Sequence, residues 1–253
     1  MDDLSRRAFT QQMLGSLFTF LLIKTVCRGN SLAEPVKQVA DHWLRETEEV
    51  SRAVKEHQID PTEWQRKIEE FYTRVDLPDF LRAIDFERLS KTAKFRDDHE
   101  SNRPIDTSHL AGTSSELSFD PIFVALKKGC AVVPHAHRNL TSMHMVLAGQ
   151  IHARSYERIS DDGQHLVIQP AIDQTYRPGD LSTVSDKRHN VHWFKGLSET
   201  AFMFNIGVLP IDPKIEFSGR EYIDPLGGEK LRDGMIRVRR IEAEEAFRLY
   251  GKT

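Results

Sequence analysis

Five histidines in two short segments are the residues of this chain best suited to binding a metal ion. His135 and His137 are separated by one residue, and side chains at i and i+2 of a β-strand point to the same face of a sheet. The pair therefore aims two imidazoles at one point. A third histidine from another strand would complete a site with open coordination positions, which metal-based chemistry requires. His144, His189 and His192 are the candidates for that third position.

Short apolar runs separated by turns predict the strands that would carry these histidines. By residue number, the predicted strands are 122–126, 131–137, 143–147, 150–156, 165–168, 181–184, 191–194 and 201–209. Asp161-Asp162-Gly163 is a hairpin signal between two of these strands. Many short strands with regular turns predict a mainly β sandwich or barrel over residues 118–253.

Helical patterns flank the predicted strands. Apolar residues at helical spacing predict three helices within residues 34–90, and Asp60 and Asp76 stand at the N-cap positions of the second and third. We interpret this region as a helical extension packed on the barrel. Residues 91–117 are polar and are expected to form a linker. A short helix is expected from Ala243 to Tyr250.

The first 33 residues have the features of an export signal. Ser5-Arg6-Arg7-Ala8-Phe9-Thr10 resembles the twin-arginine motif, and the apolar run 13–23 that follows is too short to span a bilayer. Ser31-Leu32-Ala33 offers small residues for a signal peptidase. We therefore expect a signal peptide at 1–33 and a periplasmic mature protein without stable membrane insertion. An amphipathic anchor, or a chance pair of arginines, is the alternative.

Composition restricts the classes of partner. The formal net charge is −3 and 39% of the residues are hydrophobic, which is typical of a soluble globular protein and does not indicate a nucleic-acid partner. Cys27 and Cys130 are the two cysteines, too few for a disulfide framework. The sequence carries no signal for a particular oligomeric state.

The histidine segments lie within a longer pattern. Gly129, five residues, His135-x-His137 and then Gly149 resemble the first motif of the cupin superfamily, and Pro178-Gly179-Asp180 followed by a histidine resembles its second motif. The resemblance covers roughly residues 118–210. It implies a cupin-type double-stranded β-helix barrel, or jelly roll, with an N-terminal helical extension. Metal-binding cupins usually have a glutamate where this chain has Thr141 and Ser142.

The absence of that glutamate, together with further residues, makes the chain resemble one branch of the superfamily. Pro134-His135-x-His137, Asn190-x-His192 and the run 202–206 followed by Pro210 are similar to the cysteamine dioxygenase and plant cysteine oxidase family. The resemblance implies Fe(II) held by His135, His137 and His192, with His189 and His144 as less favoured ligands. His144 is otherwise a substrate contact or a polar core residue.

The resemblance is incomplete at two positions. The family has an aspartate where this chain has Asn205 and a tyrosine where it has Ile211, whereas Tyr222 matches a family tyrosine. Tyr222 or Tyr156 would donate a hydrogen bond to groups bound at the metal. These are the candidate catalytic residues.

The chemistry implied is oxidation of a small thiol, or of an N-terminal cysteine, to a sulfinic acid with dioxygen. Three neutral imidazoles leave the full 2+ charge on the iron, which attracts a substrate thiolate and lowers the pKa of its thiol. Two other functions are open. One is a zinc-, manganese- or nickel-dependent isomerase or hydrolase, which would need a general base. The other is a non-catalytic cupin that binds a small molecule.

Overall fold

The computed structural model describes residues 34–108, 117–215, 217 and 219–252. The expected signal peptide, 1–33, lies outside the described residues. The helices are α1 Glu34–Lys55, α2 Pro61–Tyr72, α3 Leu77–Ala83, α4 Phe86–Lys91 and α5 Ala243–Ala246, with a 3-10 turn at Arg232–Gly234 and a π-helical turn at Phe247–Gly251. The strands are β1 Ser101–Pro104, β2 Asp120–Lys127, β3 Ala131–Ala136, β4 Thr141–Ala148, β5 Ile151–Asp161, β6 His165–Tyr176, β7 Leu181–Ser185, β8 Val191–Gly196, β9 Thr200–Val208, β10 Glu221–Tyr222, β11 Glu229–Lys230 and β12 Ile236–Arg239.

The strands form two sheets. One sheet has the order β1-β2-β9-β4-β7, and the other has the order β10-β3-β8-β5-β6-β12-β11. All strand pairs within them are antiparallel. Strands β2 to β9 divide between the sheets as β2-β9-β4-β7 and β3-β8-β5-β6, which is the eight-stranded jelly-roll arrangement that cupins use. The mainly β, cupin-type fold expected from the sequence is therefore confirmed.

Three groups of buried apolar side chains hold the layers together. The first joins the helices to the outer face of the five-stranded sheet, through residues such as Trp43, Phe80 and Phe204. The second covers the outer face of the seven-stranded sheet with the C-terminal segment, including Tyr250. The third fills one end of the space between the sheets, around Phe194. The histidine strands thus lie between well-packed layers.

Capping residues stabilise the first turns of α2 and α3. The Asp60 carboxylate accepts hydrogen bonds from the backbone amides of Thr62 and Glu63 at the start of α2, and Asp76 caps α3 through Asp79. The third predicted helix is divided into α3 and α4, because Asp85 adopts a left-handed backbone conformation with φ 54°.

Polar contacts also attach α2 to the barrel. The buried side chain of Gln65 donates to Thr183 Oγ1 at 3.1 Å and accepts from Ser185 Oγ at 2.7 Å. Glu69 forms an ion pair with Arg188. These contacts attach the extension to β7 and to the loop that leads into the second histidine segment.

Two parts of the chain contain strands that the sequence patterns did not indicate. The expected linker 91–117 includes β1, which pairs with β2 at the edge of the five-stranded sheet. Strands β10, β11 and β12 follow the barrel and widen the second sheet. Among the described residues, no helix is long and apolar enough to cross a membrane.

Candidate metal centre

Three histidines meet on the inner face of the seven-stranded sheet. His135, His137 and His192 each offer a ring nitrogen, and these nitrogens lie within 4.8 Å of one another. His135 and His192 are directly opposite across β3 and β8, with ring centroids 4.3 Å apart. The His137 ring is 4.6 Å from His135 and 5.5 Å from His192. The i, i+2 spacing of one strand and the register of its neighbour therefore create the cluster.

Backbone carbonyls orient two of the rings. His135 Nδ1 lies 2.7 Å from the carbonyl oxygen of Val133, and His137 Nδ1 lies 3.3 Å from that of Gly219. A ring that donates from Nδ1 is neutral and presents the Nε2 lone pair, which is the usual arrangement of a metal-binding histidine. The Asn190 amide also donates to the His137 carbonyl at 2.8 Å, so the two histidine segments are tied together.

The electrostatics keep the rings neutral. Burial lowers the pKa of His135 and of His192 well below the ordinary value, and repulsion from neighbouring imidazoles adds to the effect. Burial also lowers the pKa of His137 to about 4, with a further contribution from the charge of Arg220. Because neutral imidazole is the form that binds metal ions, the cluster is ready to bind one near pH 7. The residues present therefore fit a divalent metal.

His144 lies beside the cluster but is not one of its three members. Its ring is 5.5 Å from His192 and 4.9 Å from Phe194. Asn205 Nδ2 lies 3.0 Å from His144 Nε2 and 2.7 Å from Ser142 Oγ, and burial lowers the pKa of His144 to about 3. Ser142 and Asn205 thus occupy neighbouring places at the wall next to the centre, and His144 is a neutral ring held between Asn205 and the apolar interior.

His189, the alternative third ligand, is directed elsewhere. Its backbone has φ 54°, and its Nε2 lies 3.4 Å from Glu157 Oε1. The Glu157 carboxylate also accepts from the His189 backbone amide at 2.9 Å. The structure therefore brings His192, and not His189, to His135 and His137.

The strand register assigns the two candidate tyrosines to opposite faces of the seven-stranded sheet, but Tyr222, on the edge strand β10, also packs against the outer apolar group through Phe247, with ring centroids 5.9 Å apart. Tyr222 is opposite His135 in the register of β10 and β3, and the two ring centroids are 6.3 Å apart. Tyr156 follows Ser155, which pairs with His192. It therefore points away from the cluster and packs with Trp193 in the outer apolar group. The structure places Tyr222 near the histidines and does not bring Tyr156 to them.

Sequence analysis missed a charged pair at the rim of the cluster. Arg220 Nη1 lies 2.6 Å from Glu100 Oε1, and the Glu100 side chain is almost completely buried. Glu100 belongs to the segment expected to be a linker, where nothing in the residue pattern distinguishes it from its polar neighbours. Ile211 packs with the apolar group of the helical extension.

The fold and the site define a class: a cupin-type jelly roll with a three-histidine cluster that can hold a metal ion. No protein-family model matches the chain, and no curated protein matches it.

Solved structures resemble the barrel at low identity. One is an oxalate oxidase, 19% identical with a TM-score of 0.33; the match covers 45% of this chain and 52% of that chain, about half its length. Another is a cupin superfamily protein from Desulfitobacterium hafniense, 14% identical with a TM-score of 0.32, covering 47% and 86%. A third is KdgF from Halomonas sp., 13% identical with a TM-score of 0.32, covering 46% and 86%. These similarities do not assign an activity to this chain.

Proposed function

We propose that this protein is an Fe(II)-dependent dioxygenase that converts a small thiol, or an N-terminal cysteine, into a sulfinic acid. The observation that supports the proposal most directly is the composition of the cluster, which contains three histidines and no carboxylate among the described residues. Neutral ligands do not offset the charge of a divalent ion. Such a site favours an anionic substrate group, and a thiolate is the anion that the reaction requires.

The residues that would hold the metal are His135, His137 and His192. When bound, Fe(II) would supply the redox chemistry that joins dioxygen to sulfur, and three protein ligands leave positions for both reactants. The carbonyl oxygens of Val133 and Gly219 hold two of the rings in orientation. This support keeps the ligand geometry fixed while substrate enters and product leaves.

Residues around the cluster control hydrogen bonding and water. Tyr222, half-buried beside His135, can donate its hydroxyl proton to a bound reactant. Phe194 lies against both His144 and His192 and begins the apolar interior of the barrel. An apolar floor excludes water from one side of the site and strengthens electrostatic contacts within it.

Metal analysis followed by an oxygen-uptake assay tests the proposal. Protein purified without oxygen and loaded with Fe(II) should consume dioxygen only when a thiol is supplied, and mass spectrometry should find the sulfinate. Zinc should bind at the same residues without turnover, because it has no redox chemistry. A ferrous protein that takes up no oxygen with cysteine, cysteamine, 3-mercaptopropionate or N-terminal-cysteine peptides would contradict the proposal. Turnover with zinc would instead support a hydrolase or isomerase.

We also propose that the protein is exported through the twin-arginine pathway, on the basis of Arg6 and Arg7 in the sequence. This pathway carries folded cargo, so the metal can be inserted before export. Replacing both arginines with lysine should retain the precursor in the cytoplasm, as fractionation would show. Unchanged export of the double variant would contradict the export proposal and leave the enzymatic one intact.

A further inference from the structure

A guanidinium group stands at the rim of the histidine cluster. Gly219 contacts His137 through its carbonyl oxygen, and Tyr222 is opposite His135, so the segment between them runs along the edge of the site. Glu221 points to the outer side, where it binds Arg158 and Arg240. Because side chains alternate along an extended chain, Arg220 and Tyr222 share the side that faces the histidines.

Among the described residues, Arg220 forms one ion pair, with Glu100. This pair leaves much of the hydrogen-bonding capacity of the guanidinium unused. Glu100 contacts it through Oε1, while Glu100 Oε2 is buried without a hydrogen-bond partner in the described chain. The contact is therefore one-sided and differs from the fork-to-fork geometry of a strong structural pair. A guanidinium has five N–H donors, and the Arg220 side chain is 28% exposed. Its free donors are accessible to a ligand.

The charge of Arg220 also acts on the whole site. It lowers the pKa of His135, His137, His144 and His192, so it is electrostatically close to each ring. On the opposite wall, Ser142 and Asn205 carry no charge, and the Asn205 amide donates to Ser142 Oγ at 2.7 Å. The site therefore presents a positive charge at its rim, and among the described residues the nearby carboxylates of Glu100 and Glu221 are already paired.

We propose that Arg220 is the residue that binds the carboxylate of the substrate, so that this protein prefers thiols carrying a carboxylate over amine-bearing or uncharged thiols. The inference rests on the proposed function and deepens it, because it names the substrate class. Glu100 positions Arg220 and reduces its attraction for the ligand. Sulfur would occupy the metal, and the carboxylate would accept hydrogen bonds from the unused donors of the guanidinium.

Binding to the cobalt-substituted protein separates this inference from turnover. Co(II)-loaded protein is titrated without oxygen with 3-mercaptopropionate, 2-mercaptoethanol and cysteamine, and the thiolate-to-cobalt charge-transfer band is followed. The wild type should bind 3-mercaptopropionate most tightly. The double variant Arg220→Gln/Glu100→Gln leaves no buried unpaired charge. It should bind 3-mercaptopropionate at least about tenfold more weakly, and 2-mercaptoethanol unchanged.

Two further variants make the test specific. Glu100→Gln alone should tighten 3-mercaptopropionate binding, because it frees Arg220 from its partner. Arg138→Gln removes an exposed arginine adjacent to His137 in sequence, and it should leave both affinities unchanged. If the double variant retains Co(II) and binds 3-mercaptopropionate as the wild type does, the inference is wrong. A wild type that prefers cysteamine would also overturn it.

The failure of the proposed function would give a different pattern. In that case no thiol would produce the charge-transfer band with the wild type. Calorimetric titration with 3-hydroxypropionate, which has the carboxylate and lacks sulfur, would then show whether Arg220 binds a carboxylate. Binding that the double variant loses would support the carboxylate site without the thiol chemistry. Absence of binding to the wild type would overturn both.

Discussion

The side-chain amide nitrogen of Asn205 lies 3.0 Å from Nε2 of His144, across the neighbouring strands β9 and β4. The same nitrogen lies 3.0 Å from the carbonyl oxygen of Met143, which only an N–H donor can satisfy. If Asn205 donates to His144, the proton of that neutral ring is on Nδ1, a buried atom without a hydrogen-bond partner among the described residues. An aspartate at position 205 would reverse this hydrogen bond, because a carboxylate only accepts.

Replacing Asn205 with aspartate should change the protonation of His144. A carboxylate next to Nε2 favours the protonated ring, so the pKa of His144 should rise above its present value of about 3 by at least about one unit. Nitrogen-15 NMR of the zinc-loaded protein can follow both the tautomer and the titration. Ser142→Ala, which leaves the Asn205–His144 contact in place, is the matched control. An unchanged tautomer in Asn205→Asp would show that the hydrogen bond is not as described.

Removing any one of the three clustered histidines should abolish tight metal binding. We expect His135→Ala, His137→Ala and His192→Ala each to weaken metal affinity more than about a hundredfold. Removing a residue that only supports a ligand typically weakens metal affinity by about 10- to 100-fold, and removing the ligand itself should weaken it further. Competition with a chelator measures the affinity, and circular dichroism checks the fold. His189→Ala should retain the metal, since its ring contacts Glu157. The reverse result for His189 and His192 would contradict the site.

Local sequence patterns were sufficient to predict much of this architecture. Alternation along a strand put His135 and His137 on one face, and the short apolar runs predicted the strands β2 to β9. Local patterns could not decide between His192 and His189 as the third ligand, because both follow the same turn. Only the family resemblance favoured His192. In the structure, the left-handed backbone at His189 turns its ring toward Glu157.

Features that depend on long-range pairing could not be predicted in this way. Alternation along β5 places Ser155 and Tyr156 on opposite faces of the sheet but does not show which of these faces carries the histidines. In the structure Ser155 is on the histidine face and Tyr156 is on the opposite face. The pair Glu100 and Arg220 joins two segments far apart in the chain, neither of which has a distinctive pattern. β1 is a short polar edge strand that forms because β2 is available to pair with it.

Without metal, the protein should become less stable below about pH 6.5. The ordinary histidine pKa is 6.5, whereas His137 has a pKa of about 4 and His144 of about 3 in the folded protein. Between these values the unfolded chain binds protons that the folded chain does not, so acid favours unfolding. Each ring should cost about 2 kcal/mol at pH 5. Above pH 6.5 neither ring contributes.

Urea denaturation of the metal-free protein at pH 7 and pH 5 measures this loss, in a range above most carboxylate titrations. His144→Gln keeps a neutral polar group and removes one of the titrating rings. The variant should therefore lose less stability than the wild type between the two pH values. Equal losses would show that His144 is not held neutral in the folded protein.

The attachment of the helical extension should depend on Gln65. This buried side chain bonds to both Thr183 and Ser185 on β7, and Gln65→Ala leaves two buried hydroxyls with one partner fewer. We expect a loss of about 2–4 kcal/mol in the free energy of unfolding, measured by urea denaturation. Gln58→Ala, at an exposed position, should change stability by less than about 0.5 kcal/mol. Equal effects of the two substitutions would exclude a specific role for Gln65.

Tyr222 and Tyr156 provide a matched pair for testing which tyrosine serves the reaction. Tyr222 lies 6.3 Å from His135 between ring centroids, whereas Tyr156 is on the face opposite to Ser155 and His192. Tyr222→Phe should reduce thiol-dependent oxygen uptake by about tenfold, corresponding to one lost hydrogen bond of about 1.4 kcal/mol. Metal affinity should be unchanged. Tyr156→Phe removes a hydroxyl on the outer face of the same sheet, so its oxygen uptake should equal that of the wild type. If Tyr156→Phe is the slower variant, the hydroxyl of Tyr222 does not assist the reaction in the way its position indicates.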